Sequence, residues 1–489
     1  MKKKYHIVDF IILLVKVIPL PVILTTFFKV LGAILPAYQT IALADFIDIV
    51  TQIFQGEKTT SDVFMPLLFI LICIIYEKLV PAIENVIHLS AENKLSVTLG
   101  EKIVQKRSCL KYQYIENKDM CDLIERVCTE PERRFLDGFL NIQNGIAFVI
   151  RIVSLLAIVI AYTPLEGMII LAVCIPLFYI AQKMGKKNYE MEKDAAKIKR
   201  KYHYLAEILT KREYVEERSL YHYSDFICSK FNQLFDQSYK VEAQIEKKRY
   251  MNMKSGSMFT IGIAVIIMTI LLLAVQRGNM TLGIYIALVS TIFSLVQSMS
   301  WQLSSVMQEY ARLKEYLKDF SEFFFLEEKE GACDEPADIS NFLFQSLEFK
   351  NVSFRYPKTD HDILKNCSFY LSKNKSYAFV GSNGAGKTTI TKLLMGLYDN
   401  YEGEILINGK NIRNYPYSEL KAMISVVFQD FSKYAISIRH NISLGSAEKE
   451  NEEKLRKVLK KVELMEIIDQ LEKKENTSLG KLEEGSIDF

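Results

Sequence analysis

Gly381-Ser382-Asn383-Gly384-Ala385-Gly386-Lys387-Thr388-Thr389 is the stretch that decides the fold. It fits the phosphate-wrapping pattern of a glycine, four residues, then glycine, lysine and a hydroxyl residue. Ser376-Tyr377-Ala378-Phe379-Val380 precedes it and reads as a strand. Thr389-Ile390-Thr391-Lys392-Leu393-Leu394-Met395 follows and reads as a helix. In that context the glycines let successive backbone N–H groups turn toward one anion, and the helix N-terminus adds partial positive charge. Lys387 supplies a mobile cation for the β- and γ-phosphates, and Thr388 a hydroxyl for Mg²⁺.

The chain around this loop has 489 residues, room for two or three domains. It is 49% hydrophobic and yet 24% charged, so the two classes must be segregated along the sequence. A net charge of +3 gives no global basic excess, which argues against a nucleic-acid partner. The eight cysteines form no C-x-x-C pair, so the sequence supports neither a zinc site nor a disulfide framework and suits a reducing cytosol. Met1-Lys2-Lys3-Lys4 precedes a long apolar run, but no small-residue cleavage site follows and Lys16 and Lys29 interrupt it. It reads as a retained membrane segment.

Six apolar stretches stand out, near 18–42, 63–88, 139–162, 165–182, 257–276 and 281–301. Each has the roughly 18–26 residues needed to cross a hydrocarbon core of ~30 Å as a helix. Residues 6–17 are expected to form an amphipathic lead-in helix. The connections 89–138 and 183–256 are rich in Lys and Arg, among them Lys94, Lys106, Lys111, Arg126, Lys199 and Arg200, whereas the alternate connections are short and nearly neutral. By the positive-inside rule the N-terminus and both long connections are cytoplasmic, and the spans extend far into the cytosol as helices. Lys29, Glu77 and Arg151 fall within spans, which predicts a polar stripe with Glu84 and His88, Glu77 pairing with Lys29 or Arg151.

After Trp301 the texture changes: a helical exit to about 330, a linker at 331–340, then an α/β domain over 341–489. Glu348–Phe354 alternates as a strand, Glu404–Gly409 reads as strand then turn, and Ile424–Phe428 as a buried strand. The fold class is thus a polytopic α-helical membrane domain of six transmembrane helices over 1–330, followed by a partial α/β phosphate-loop domain.

This arrangement resembles an ATP-binding-cassette exporter of the half-transporter kind over nearly the whole chain. Val352-Ser353-Phe354-Arg355-Tyr356-Pro357 looks like the family's aromatic loop, Tyr401–Gly409 like its hairpin, and Val426-Val427-Phe428-Gln429-Asp430 like its glutamine loop. The resemblance implies that Tyr356 stacks on adenine and that Gly381, Ser382, Asn383, Gly384, Ala385, Gly386, Lys387, Thr388 and Thr389 hold ATP. It implies that Thr388 and Gln429 touch Mg²⁺. Residues 114–126 match a first coupling segment, and 211–225 match a second more loosely. Such a chain is expected to pair with a second half-transporter, identical or not, in the cell membrane. It would move a peptide, lipid or other amphipathic substrate, and no protease domain is expected before the first span. The family's signature, Walker-B aspartate with adjacent glutamate, and switch histidine do not occur before Phe489. That departure implies a chain that is not hydrolytic alone, with no catalytic residue of its own and an apolar sheet edge left open, or else a regulatory membrane subunit.

Overall fold

The computed structural model describes residues 4–164, 168, 199–278, 280–429, 431–444 and 451–480. The span expected at 165–182, Met168 apart, and the closing residues 484–489 lie outside that set. The chain divides into two compact units, Met1–Ile103 with Leu123–Phe325, and Val104–Asp122 with Leu326–Phe489.

The first unit is helical. Its lead-in helix α1 is Ile7–Val17, followed by α2 (Pro19–Phe54) and α3 (Phe64–Ser108). Two short helices, α4 (Tyr112–Glu116), which belongs to the second unit, and α5 (Lys118–Cys128), precede α6 (Pro131–Tyr162). Further on lie α7 (Val215–Tyr221), α8 (Ser224–Gln276) and α9 (Leu282–Phe325). Pro19 and Pro131 sit in the first turn of α2 and α6, where a missing N–H costs nothing. Three described stretches, Pro19–Phe54, Thr60–Ser108 and Pro131–Tyr162, are long and apolar enough to cross a membrane. These contain the first three expected spans; the fifth and sixth fall within α8 and α9.

Side chains tie these helices together. Phe135 of α6 packs against Phe10, Tyr316 and Phe320, with centroids 5.2, 5.9 and 5.1 Å away. Asp48 near the end of α2 accepts hydrogen bonds from the Thr281 hydroxyl (2.6 Å) and the Gly283 amide (2.8 Å). The carboxylate thereby satisfies an amide at the start of α9, where the helix dipole favours negative charge. Gln143 of α6 donates to the hydroxyls of Thr25 (2.9 Å) and Thr26 (2.8 Å) on α2.

The expected pairing of Glu77 is corrected here. Lys29 pairs with Glu84 at 3.1 Å, and Glu77 is exposed on the surface of α3. Glu84 lies two helical turns beyond Glu77 on nearly the same face of α3, and at that level of the helix the position is buried.

The second unit centres on a four-stranded sheet of order β2-β1-β3-β4. Its strands are β1 (Ser346–Phe354), β2 (Leu364–Ser372), β3 (Glu402–Ile407) and β4 (Lys410–Asn411), each antiparallel to its neighbours. Alternation along β1 buries Leu347, Phe349, Val352 and Phe354. The shift from odd to even positions marks an irregular register between Phe349 and Val352. Gly403 passes this irregularity so closely that a Cβ would stand 2.4 Å from the Asn351 carbonyl oxygen. Helix α10 (Lys387–Leu394) packs Ile390 and Leu393 onto the same core. The remaining helices are α11 (Tyr417–Met423), α12 (Ile438–Ser443), α13 (Glu452–Lys461) and α14 (Met465–Asp469).

Two expected strands do not join this sheet. Residues 376–380 and 424–428 have no ladder partner among the described residues. Val380 and Val427 are each 93% exposed. Apolar content alone prompted those strand assignments. A strand also needs a neighbour to take its N–H and C=O groups. The cysteine expectation is corrected as well: Cys109 and Cys333 form a disulfide. Their separation of 224 residues hid the pair, because only the folded chain brings them together.

Candidate nucleotide site

The loop Gly381–Thr389 begins where the exposed segment 376–380 ends. Gly384 and Gly386 take φ values of 83° and 87°, which favour glycine. Gly386 is buried at the start of α10, and a Cβ there would meet Leu364 Cδ2 at 2.8 Å. The loop is therefore seated on β2 at one end while residues 381–385 stay exposed. Lys387 folds back, its Nζ donating to the carbonyls of Gly381 (2.7 Å) and Ser382 (2.9 Å). An ammonium held, among the described residues, by two carbonyls can turn to an anionic oxygen, which is the stronger acceptor. Thr388 is exposed at the first turn of α10, whereas Thr389 is buried. A phosphate fits this arrangement of exposed loop, helix N-terminus and lysine.

Tyr356 lies just past β1, half-buried. Its hydroxyl and that of Thr389 are 3.0 Å apart, and its ring meets Phe354 and Tyr398 edge-on at 5.0 and 5.4 Å. The sequence-expected residues Tyr356 and Thr389 are thus brought together, through a hydroxyl pair. Gln429 is exposed, and among the described residues no hydrogen bond joins it to the loop.

A second cluster, which sequence reasoning missed, sits on the other side of α10. Helix α4 belongs to the same compact unit as the sheet. Its Glu116 accepts from Lys392 Nζ (2.5 Å) and from the Tyr398 hydroxyl. Lys392 also lies over the rings of Tyr112 (5.3 Å) and Tyr356 (5.4 Å). Tyr112 meets Tyr398 edge-on at 5.7 Å. Burial resists ionisation of Glu116, but the hydrogen bonds from Lys392 and Tyr398 outweigh it and hold the carboxyl below its ordinary range. Burial and the Glu116 carboxylate raise the Tyr398 phenol well above its usual value. One signal could have found the cluster: Lys392 lies five residues after Lys387, so on a helix it faces away from the loop. Lys358 adds a contact to Asp119 at 3.3 Å.

The family profile described as ABC transporter matches residues 364–485, which include the loop, the hairpin and Gln429. The subtilin transport ATP-binding protein SpaT of Bacillus subtilis is 26% identical over 430 residues, 86% of this chain and 68% of that protein. The chain is an ATP-binding-cassette exporter of the half-transporter kind. In this exporter the membrane domain and the cassette are fused in one polypeptide, and the cassette binds ATP. The nisin transport protein NisT of Lactococcus lactis is 24% identical over 75% of the chain and 61% of its own length. The lipid A-core flippase of Pasteurella multocida is 31% identical over 206 residues, 42% of the exporter and 35% of the flippase. The exporter thus spans about a third to two thirds of the length of these relatives. A solved bacterial Atm1-family ABC exporter with ATP bound has the same fold, with a TM-score of 0.72 over 94% of the exporter and 80% of that chain at 19% identity.

Several of the basic residues of the connections 89–138 and 183–256 have structural partners. Lys106 is buried, donating to the Leu326 carbonyl (2.6 Å) and to Glu328 (2.6 Å). Lys111 pairs with Glu327 (2.6 Å), Arg126 with Asp319 (2.8 Å) and Lys199 with Glu242 (3.0 Å).

Proposed function

We propose that this chain is one half of an ATP-driven export permease, with the N-terminus and the cassette on the cytoplasmic side of the cell membrane. Residues 1–330 form the membrane domain, 331–340 the linker and 341–489 the cassette portion. The backbone of 381–389 and the Lys387 ammonium hold the nucleotide phosphates. Tyr356 borders the base, and Thr388 with Gln429 are the residues that would hold Mg²⁺. Bound Mg²⁺ supplies charge neutralisation on the phosphates. The observation that carries the reading is Lys387, parked on two loop carbonyls at an open loop mouth with glycines in left-handed conformation. A second such half-transporter is the proposed partner. The cargo is a peptide, lipid or other amphipathic molecule. The cargo class of the subtilin and nisin transporters comes first, because those relatives align over most of the chain. The basic connections 89–138 and 183–256 support the orientation.

Binding of a fluorescent ATP analogue to the membrane-reconstituted chain tests the assignment. Lys387→Ala removes a charge-assisted contact of roughly 1.5–3 kcal/mol, so affinity falls about tenfold or more. Equal binding by wild type and variant refutes it. Uptake of a labelled peptide into inverted vesicles, with and without ATP, tests the cargo class.

A further inference from the structure

We propose that Cys109 and Cys333 form a reversible thiol–disulfide modification site that fastens the segment entering the first coupling helix to the strap leading into the cassette. The inference rests on the proposed cytoplasmic placement of this region, which exposes it to low-molecular-weight thiols and disulfides.

Both cysteines belong to one compact unit, Val104–Asp122 with Leu326–Phe489. Their Cα atoms are 5.8 Å apart and their sulfurs are bonded. That separation is in the range a disulfide needs. The other described cysteines, Cys73, Cys121, Cys128, Cys228 and Cys367, are not disulfide-bonded. Cys333 is exposed and Cys109 half-buried, so solvent thiols reach the pair. Arg107 and Lys111 flank Cys109 in sequence, and cations favour the thiolate that performs exchange.

The bond falls where two chain segments already meet. Leu110 and Glu328 form an isolated antiparallel bridge. Lys111 N donates to Glu327 O (3.2 Å), and Lys329 N to Cys109 O (2.8 Å). Two ion pairs flank the bridge, Lys106–Glu328 and Lys111–Glu327, each at 2.6 Å. On one side the chain continues directly into α4, whose Glu116 grips Lys392. On the other side the strap runs through Cys333 toward β1. In the dithiol state non-covalent contacts hold the two segments, and such contacts open and close locally. In the disulfide state they cannot part. The site therefore sets how freely the α4 segment moves relative to the strap.

The chemistry balances with a glutathione-class disulfide, RSSR, as oxidant. The Cys333 thiolate attacks RSSR, forms a mixed disulfide and expels one RS⁻. The Cys109 thiolate then attacks the Cys333 sulfur and expels the second RS⁻. Two electrons pass from the protein thiols to RSSR, and the two thiol protons end on two RSH. Excess RSH reverses both steps.

The full-length chain in lipid nanodiscs is equilibrated in buffers of graded reduced-to-oxidised glutathione ratio. Free thiols are then alkylated and the digest is mapped by mass spectrometry. The expected result is a linked Cys109–Cys333 peptide in oxidising buffer that disappears in reducing buffer and is absent from Cys109→Ser and Cys333→Ser. Hydrogen exchange across 104–122 should slow at least about threefold on oxidation of the wild type and stay unchanged in Cys333→Ser. The proposal is overturned if no linked peptide forms while exposed Cys228 becomes glutathionylated. It is equally overturned if the link forms without slowing exchange. Neither readout requires nucleotide, so a failed transport assay leaves this test intact.

Discussion

Replacing Glu116 measures how firmly α4 is held to the cassette. The Glu116 carboxylate accepts from Lys392 Nζ at 2.5 Å and from the Tyr398 hydroxyl. The two contacts are not equal. The carboxylate is 40% exposed and Lys392 18%, so the ion pair lies toward the surface regime of about 0.2–1 kcal/mol. In Glu116→Ala, Lys392 keeps the Tyr112 and Tyr356 rings, which reduces its loss further. Tyr398 is 3% exposed, and its hydroxyl would be left buried without an acceptor, costing about 1–3 kcal/mol. The sum for Glu116→Ala is about 1–4 kcal/mol, most of it from the tyrosine. Glu116→Gln keeps an acceptor oxygen for Tyr398 and loses only the charge, about 0.5–1 kcal/mol. Hydrogen exchange of the amides in 112–116 reads these energies directly. Exchange should quicken roughly fivefold to several hundredfold in Glu116→Ala and about two- to fivefold in Glu116→Gln. Equal effects of Ala and Gln would place the energy in the charge and refute the reasoning. No effect from either would mean the docking is absent in solution.

The same contact fixes a pH window. The Glu116 carboxyl is held below its ordinary range, so its contribution is present above the unfolded value of about 4.3. It is lost as pH falls through the lower folded value. The Lys392 ammonium is raised by Glu116 against the opposing effect of burial. Its contribution is present below about 10.4 and disappears as pH rises through the folded value. Protection of 112–116 should therefore plateau from about pH 5 to 10 once corrected for intrinsic exchange. Decline at neutral pH would count against the pair.

Three further outcomes are expected. Gly386→Ala places a Cβ 2.8 Å from Leu364 at φ 87°, so thermal denaturation should show a loss of about 1–3 kcal/mol, together with weaker ATP-analogue binding. Glu84→Ala strands Lys29 in the helical unit and should destabilise it by about 3 kcal/mol. Adding Lys29→Leu should recover much of that loss in a detergent-denaturation double-mutant cycle. Val380→Asp should change stability by less than about 0.5 kcal/mol, because the side chain is 93% exposed; a loss above about 2 kcal/mol would mean the working transporter covers it.

What the sequence discloses depends on how far apart the interacting residues lie. The phosphate loop was legible because its chemistry is local: nine consecutive residues carry the glycines, the cation and the hydroxyl. The spans α2, α3 and α6 were legible because apolar length is also local. The hairpin β3–β4 announced itself through Asn408-Gly409, both at positive φ. Apolar runs misled at 376–380 and 424–428, since hydrophobicity reports a wish for burial and says nothing of the neighbour that grants it. The partners of Glu116 lie more than 270 residues away, those of Lys106 and Lys111 more than 200, and Cys109 meets Cys333 across 224. Every one of these joins residues 106–116 to a distant part of the same unit, either α10 and the residues after it or the strap before β1. Within the second unit, α10 links the loop to the Glu116 cluster. Lys387 begins α10 and Lys392 lies on its second turn, so a shift of the helix that follows nucleotide contact at one end moves the Glu116 anchor at the other. Coupling by this path requires that Glu116→Ala weaken the effect of ATP analogue on exchange in 112–116 while leaving analogue affinity within about threefold of wild type. A parallel loss of affinity would instead assign Glu116 to the stability of the loop itself.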